Sequence, residues 1–155
     1  MFILKVFVGV LSIIFAVKIG KDKASNDKEE YLYFKGLVNL CDRFLSDLSY
    51  KKSTIDSVLN DNFNSKELNE TINSFLNKSY LYLPSFLNGE ERFLLCELFS
   101  VIGKSDSNAQ IESLTAFKKE INKISIEKYE KYKKFNLLFV KLGFLSGLLI
   151  FILVI

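Results

Sequence analysis

The apolar residues of this chain follow two different patterns. At each end they form a nearly continuous run, over residues 2–20 and 135–155. Between these runs, apolar residues recur every three or four positions, the spacing of one face of an amphipathic helix. A helix formed by either end run would be about 28–32 Å long, close to the thickness of a bilayer core. The pattern therefore predicts transmembrane helices at 2–20 and 135–155, with a helical domain at 21–134.

The middle segment is expected to hold about five helices with short connections. Their apolar stripes fall within residues 28–50, 55–63, 68–76, 94–102 and 111–124. The first helix is expected to continue from the N-terminal run, and the last to run without a break into the C-terminal run. Residues 79–87, around Pro84, read as an ordered loop. The predicted fold class is all-α: an antiparallel helical bundle flanked by N- and C-terminal transmembrane helices.

Three predicted helix starts carry a capping-box pattern, in which a polar residue precedes Glu or Gln by three positions. The pairs are Asn64 with Glu67, Asn88 with Glu91, and Ser107 with Gln110. Asp106 is a rival cap for the last of these helices.

The corner from Gly103 to Gln110 joins two predicted helices through the sequence GKSDSNAQ. A phosphate-binding loop is not expected, because there is one glycine and a helix precedes it. Two interpretations stay open. The corner is either a well-capped turn or a docking point for a partner through Gly103, Ser105, Asp106 and Gln110, since exposed loops often carry function.

The charged residues also predict how the chain is oriented in the membrane. Residues 21–134 contain 18 Lys or Arg and 18 Asp or Glu, so this segment is neutral, which argues against a nucleic-acid partner. Lysines crowd both of its membrane borders, and such flanks stay cytoplasmic. The bundle is therefore expected in the cytoplasm, with both termini across the membrane. A cleaved signal peptide is the alternative for residues 2–20; the lack of an Ala-x-Ala site favours an anchor.

Candidate chemistry is sparse, and an enzyme is not expected. The chain has no histidine, and its two cysteines, Cys41 and Cys96, are expected on apolar helix faces as small hydrophobes. The adjacent pairs Glu29–Glu30 and Glu90–Glu91 point to different helix faces and read as solvated caps or first-turn residues. No metal and no cofactor are predicted.

Small residues in the end runs suggest close helix packing. Gly143 and Gly147 form a GxxxG pattern, while Ser12, Ala16 and Gly20 recur every four residues in the N-terminal run. We expect the two spans to pack together, within one chain or between chains. The alternative is that these small residues mark no contact.

Two stretches resemble stage III sporulation protein AB. LFSVIGKSDSNAQIESL, residues 98–114, resembles that family's Leu-Gly-x-Ser-Asp-x-x-x-Gln segment. KYKKFNLLFVKLGFLSGLLIFILVI, residues 131–155, resembles its lysine-rich helix and apolar ending. The resemblance is specific over 97–155 and architectural over 1–96. Ile102, where leucine is expected, and the aromatic residues of 79–87 depart from the family pattern.

The resemblance implies a structural role. The family belongs to the mother-cell complex that assembles at the membrane around the engulfed forespore, and its helical domain is similar to cytoplasmic domains of the type II secretion system F protein. The expected partners are the membrane, a cytoplasmic ATPase (stage III sporulation protein AA) and other proteins of the complex; homo-oligomerisation is left open. The alternative is a stand-alone two-span membrane adaptor; a pore is disfavoured because the spans carry too few polar residues.

Overall fold

The computed structural model describes residues 2–48, 59, 62–78, 80–102 and 107–154. In these ranges the regular structure is helical, which confirms the all-α prediction. The helices are α1 (Phe2–Ser46), α2 (Lys66–Leu76), α3 (Gly89–Val101) and α4 (Ser107–Val154). The predicted helix at 55–63 lies largely outside the described residues. The chain divides into a smaller unit, Met1–Lys28 with Lys128–Ile155, and a larger unit, Glu29–Glu127.

Two helices are much longer than the others. α1 has 45 residues and α4 has 48, so they extend over about 68 and 72 Å. The expected continuity of both helices is confirmed: α1 passes through Ser25 and Asn26 without a break, and α4 begins at Ser107. Within the parts of the chain that are described, no helix is both long enough and apolar enough to cross a membrane.

The core of the larger unit is formed by the predicted apolar stripes. α1 contributes the largest share, including Phe34, Leu37 and Cys41, and α3 contributes Leu95 and Leu98. Aromatic rings extend this core: Phe75 of α2 and Phe99 of α3 have ring centroids 5.0 Å apart. Because no helix of the larger unit can bury its apolar stripe alone, these stripes must face one another.

Tyr33 and Leu40 belong to the same core, although the three-and-four spacing did not single them out. Both side chains are 0% exposed. The Tyr33 hydroxyl shares a 3.2 Å hydrogen bond with Thr71 Oγ1 on α2, and its ring meets Phe86 edge-on. Burial raises the pKa of the Tyr33 hydroxyl.

The start of α2 corrects the predicted capping box. The N-cap is Ser65, whose Oγ accepts from the Leu68 amide at 3.2 Å. The same hydroxyl donates to Glu29 Oε1 of α1 at 2.7 Å, and the Glu67 amide reaches that oxygen at 3.3 Å. Glu67 does not reach back to Asn64; its Oε2 accepts from the Tyr82 hydroxyl. An anion from another helix therefore adds to Glu67 at this helix start, and Glu29 accepts hydrogen bonds from α2 instead of being only solvated.

The loop before α3 is ordered by side-chain hydrogen bonds, as its sequence predicted. The Tyr82 amide donates to Ser74 Oγ at 2.9 Å. Arg92 of α3 donates to the carbonyl oxygens of Pro84, at 2.9 Å, and Leu87, at 3.1 Å. These bonds connect the loop to the helices on both sides of it.

Among the described residues of the smaller unit, one carboxylate is buried. Asp27 of α1 is 1% exposed, and Lys131 Nζ of α4 lies 3.1 Å from its Oδ1. Among the described residues, neither Asp27 oxygen has a hydrogen-bond donor in good geometry, so the contact is an ion pair without an aligned hydrogen bond.

Candidate docking surface

The predicted docking corner is described only at one end. Gly103, Ser105 and Asp106 lie outside the described residues. Gln110 lies in the first turns of α4, and its side chain is 9% exposed. A side chain buried to this degree offers little surface to a partner. Docking through this corner stays a prediction, and so does the choice between Asp106 and Ser107 as the cap.

The residues predicted to pack the two spans are helical. Ser12, Ala16 and Gly20 lie in α1, and Gly143 and Gly147 lie in α4. All five belong to the smaller unit. Their contribution to helix packing stays a prediction.

The surface of the larger unit contains a groove of about 700 Å³. One of its walls is the N-terminal part of α3, and the other is a central part of α4. Along each wall the lining residues follow the same spacing, i, i+3, i+4 and i+7, which keeps them on one helix face. They are Glu90, Phe93, Leu94 and Glu97 on α3, and Glu120, Lys123, Ile124 and Glu127 on α4. We call this feature the acidic groove; Asn88, Gly89 and Glu91 complete its lining.

The centre of the acidic groove is mainly apolar, with Lys123 beside Ile124 on the α4 wall. Phe93 is 67% exposed, and Leu94 and Ile124 are partly buried. A phenylalanine this exposed leaves most of its apolar surface in water, which is unfavourable by about 25 cal/mol for each Å² that could otherwise be buried. An exposed apolar side chain with two apolar neighbours in a concave surface is typical of an interaction site.

The ends of the acidic groove are negatively charged. Five glutamates and one lysine line it. Glu91 is 6% exposed, because it closes the capping box: its amide donates to Asn88 Oδ1 at 2.8 Å, and its Oε2 accepts from the Asn88 amide at 2.9 Å. The prediction of a cap is confirmed, whereas the expectation that this glutamate is solvated was wrong. The other four carboxylates are exposed and leave a net negative charge after Lys123 is counted.

One of the two cysteines differs from what the sequence suggested. Cys41 is 1% exposed in the core, as expected, and burial raises its pKa to about 12. Cys96 is exposed, so the expectation that it would act as a buried hydrophobe was wrong. It follows Phe93 by three residues on α3, on the side of the helix that Leu95, Leu98 and Phe99 do not occupy. Both thiols are free.

Sequence reasoning missed the acidic groove, although part of its signal was visible. On α3 and on α4, two glutamates lie seven positions apart, and an apolar residue lies four positions after the first of them. This repeat predicts an acidic stripe with an apolar centre on each helix, but it cannot tell that the two stripes face one groove. In the part of the chain that is described, no three carboxylate or thiol groups come together where they could hold a metal ion.

Comparison with known protein families identifies a match that covers much of the chain. The family model described as stage III sporulation protein AB matches residues 64–155, which is more than half of the chain. This region includes α2, α3, α4 and both walls of the acidic groove. No curated protein and no solved structure gave a significant match.

Proposed function

Because the chain belongs to the stage III sporulation protein AB family, we propose that it is a structural platform of the sporulation complex between the mother cell and the forespore. In this role it is anchored in the mother-cell membrane around the forespore and docks a cytoplasmic ATPase on its helical domain. The match over residues 64–155 is the observation that carries the proposal, since it makes the chain a sporulation protein.

A non-enzymatic role is supported by the side chains that the chain offers. It has no histidine, the usual proton carrier near neutral pH. Two of the glutamates that were candidates for chemistry are already used structurally, Glu29 at the start of α2 and Glu91 at the start of α3. What the larger unit presents to a partner is a shaped surface with charge and exposed apolar area.

Membrane anchoring is proposed from the sequence. In sequence, the runs at 2–20 and 135–155 consist mainly of apolar residues over the length of a membrane span, and the lysines beside them favour a cytoplasmic position for residues 21–134. Two helices of 45 and 48 residues are long enough to have one part in lipid and another part in water.

Co-purification from sporulating cells tests the platform role. The full chain, carrying an affinity tag at its N-terminus, is isolated in mild detergent, and associated proteins are identified by mass spectrometry. We expect the ATPase and other stage III sporulation proteins to be recovered together, and to be absent from an untagged control strain. Recovery of the intact tagged chain without any of these proteins would instead favour a stand-alone membrane adaptor.

A further inference from the structure

We propose that the acidic groove binds a basic amphipathic helix of a partner protein. This inference deepens the proposed function and rests on it, because it names the surface and the chemistry by which the platform holds a partner. It requires an occupant with an apolar stripe for the centre of the groove and with Lys or Arg at both ends of that stripe.

The apolar part of the occupant follows from the centre of the groove. Phe93 is 67% exposed and stands beside Leu94 and Ile124 in a concavity of about 700 Å³. Such a volume accepts several aliphatic side chains, and covering Phe93 removes its exposed surface from water. The driving force for association is therefore hydrophobic at the centre.

The charge of the occupant follows from the ends. Glu90 and Glu97 lie two turns apart on α3, and Glu120 and Glu127 lie two turns apart on α4. A segment with a cation at each end would meet carboxylates from both walls. Nucleic acids and anionic lipid headgroups carry the wrong charge, and an acidic segment would be repelled.

The helical form of the occupant follows from the spacing. Seven residues of helix extend over about 10 Å, so the two carboxylate ends of each wall are about two turns apart. A partner helix with apolar residues at i+3 and i+4 and basic residues at i and i+7 has the same repeat. Amphipathic helices are commonly bound in this way, with the apolar face in a groove and charges at its rim.

A defined peptide tests the inference directly. The probe is a fluorescent 15-residue helix of Ala, Leu and Lys, with Leu at i+3 and i+4 and Lys at i and i+7; a comparison peptide has Glu in place of Lys. Binding to the full chain in a non-ionic detergent is followed by fluorescence anisotropy, and binding to empty micelles is subtracted. We expect saturable binding of the lysine peptide, weakened by salt, and no binding of the glutamate peptide.

Matched variants locate the binding. Glu120→Lys and Glu112→Lys make the same charge change on α4, but only Glu120 lines the groove. Affinity should fall about tenfold in Glu120→Lys and stay unchanged in Glu112→Lys, since an attractive contact becomes repulsive in the first variant alone. Phe93→Ser should also weaken binding, whereas Ile126→Ser, at a position 52% exposed outside the lining, should not. Glu97→Lys repeats the test from the other wall, and circular dichroism confirms that each variant keeps its helices.

The inference is overturned if the groove variants bind the peptide as well as the unchanged chain does. It is also overturned if the peptide does not bind while the chain self-associates through the groove, because a second copy is then the occupant.

Failure of the proposed function gives a different result from failure of this inference. If the ATPase co-purifies equally with the unchanged chain and with Glu120→Lys, the platform role stands and the groove is not the docking surface. If the peptide binds in the groove but no sporulation protein co-purifies, the platform role fails.

Discussion

At the scale of single residues, burial changes the chemistry of Tyr33 and Cys41. Both side chains lie in the core of the larger unit, where the charged form of either group would lose its hydration. Their pKa values are therefore raised: that of Cys41 moves from 9.0 to about 12, and that of Tyr33 moves upward from 10.0. Neither group is suited to acid–base or nucleophilic chemistry near neutral pH. Their role is packing, to which Tyr33 adds one hydrogen bond.

These shifts predict a loss of stability at alkaline pH. Above pH 10, Tyr33 releases its proton in the unfolded chain but keeps it in the folded chain, so the unfolded state binds fewer protons and the free energy of unfolding falls as pH rises. Each such group contributes up to about 1.4 kcal/mol per pH unit. Above pH 10, the free energy of unfolding should fall less steeply in Tyr33→Phe than in the unchanged chain. At pH 8 this variant should be about 1 kcal/mol less stable, because it lacks the hydrogen bond to Thr71.

Urea unfolding of the full chain in detergent, from pH 8 to 11.5, measures this effect. Tyr80→Phe is the control, because Tyr80 is 92% exposed and its replacement should leave the pH dependence as it is. Equal slopes for Tyr33→Phe and the unchanged chain would contradict the assignment of the alkaline loss to Tyr33.

At the scale of elements, the starts of α2 and α3 show when a local capping pattern determines where a helix begins and when a contact with another helix does. The start of α3 follows its capping-box pattern, because Asn88 and Glu91 lie within four residues and need no other helix. The start of α2 does not, because Glu29 on α1 supplies an acceptor for Ser65 and for the Glu67 amide. α1 and α2 also approach closely at Gly36, where a Cβ atom would collide with Leu68 Cδ2. The contact between the two helices thus decides where α2 begins.

Replacement of the two candidate caps of α2 tests this conclusion. Ser65→Ala should lower the free energy of unfolding by about 1–2 kcal/mol, because it removes the acceptor of the Leu68 amide and the donor to Glu29. Asn64→Ala should change it by less than about 0.5 kcal/mol, since Asn64 is exposed and is not the N-cap. Urea unfolding of both variants provides the comparison. A larger loss of stability in Asn64→Ala than in Ser65→Ala would indicate that Asn64 is the N-cap, as the sequence predicted.

At the scale of the whole molecule, the apolar runs and the acidic groove lie in different parts of the chain. The apolar runs lie at its two ends, in the smaller unit, and the acidic groove lies in the larger unit. The proposed platform role needs both: one part that holds the chain in a membrane and another that presents a binding surface. The family match covers the groove and the C-terminal run together, which supports a shared role for them.

The proposed topology predicts which thiol reacts, and from which side. Cys96 is exposed and Cys41 is buried with a raised pKa, so in the folded chain a maleimide should modify Cys96 alone. In intact protoplasts of vegetative cells that express the chain in their peripheral membrane, a membrane-impermeant maleimide should leave Cys96 unmodified, and should modify it after lysis. A cysteine added after Ile155 in a Cys96→Ser chain is the control and should be modified without lysis. Modification of Cys96 in intact protoplasts would place residues 21–134 outside the cytoplasm.

The sequence by itself determined the helical character, the buried stripes and the start of α3, because these depend on residues a few positions apart. The spacing of three and four residues correctly predicted that Leu37, Leu95 and Leu114 are buried. The Asn88–Glu91 pair correctly predicted where α3 begins. The family resemblance was also readable, over residues that the family match includes.

Only the tertiary structure decided which helix faces meet. Periodicity identifies an apolar stripe but not the helix that covers it, so the exposure of Cys96 and Phe93 could not be derived from α3 alone. The cap at Ser65 depends on Glu29, 36 residues earlier, and the acidic groove depends on two helices whose stripes lie some 30 residues apart. These contacts are long-range, and local spacing carries no information about which distant segment will supply the neighbouring surface.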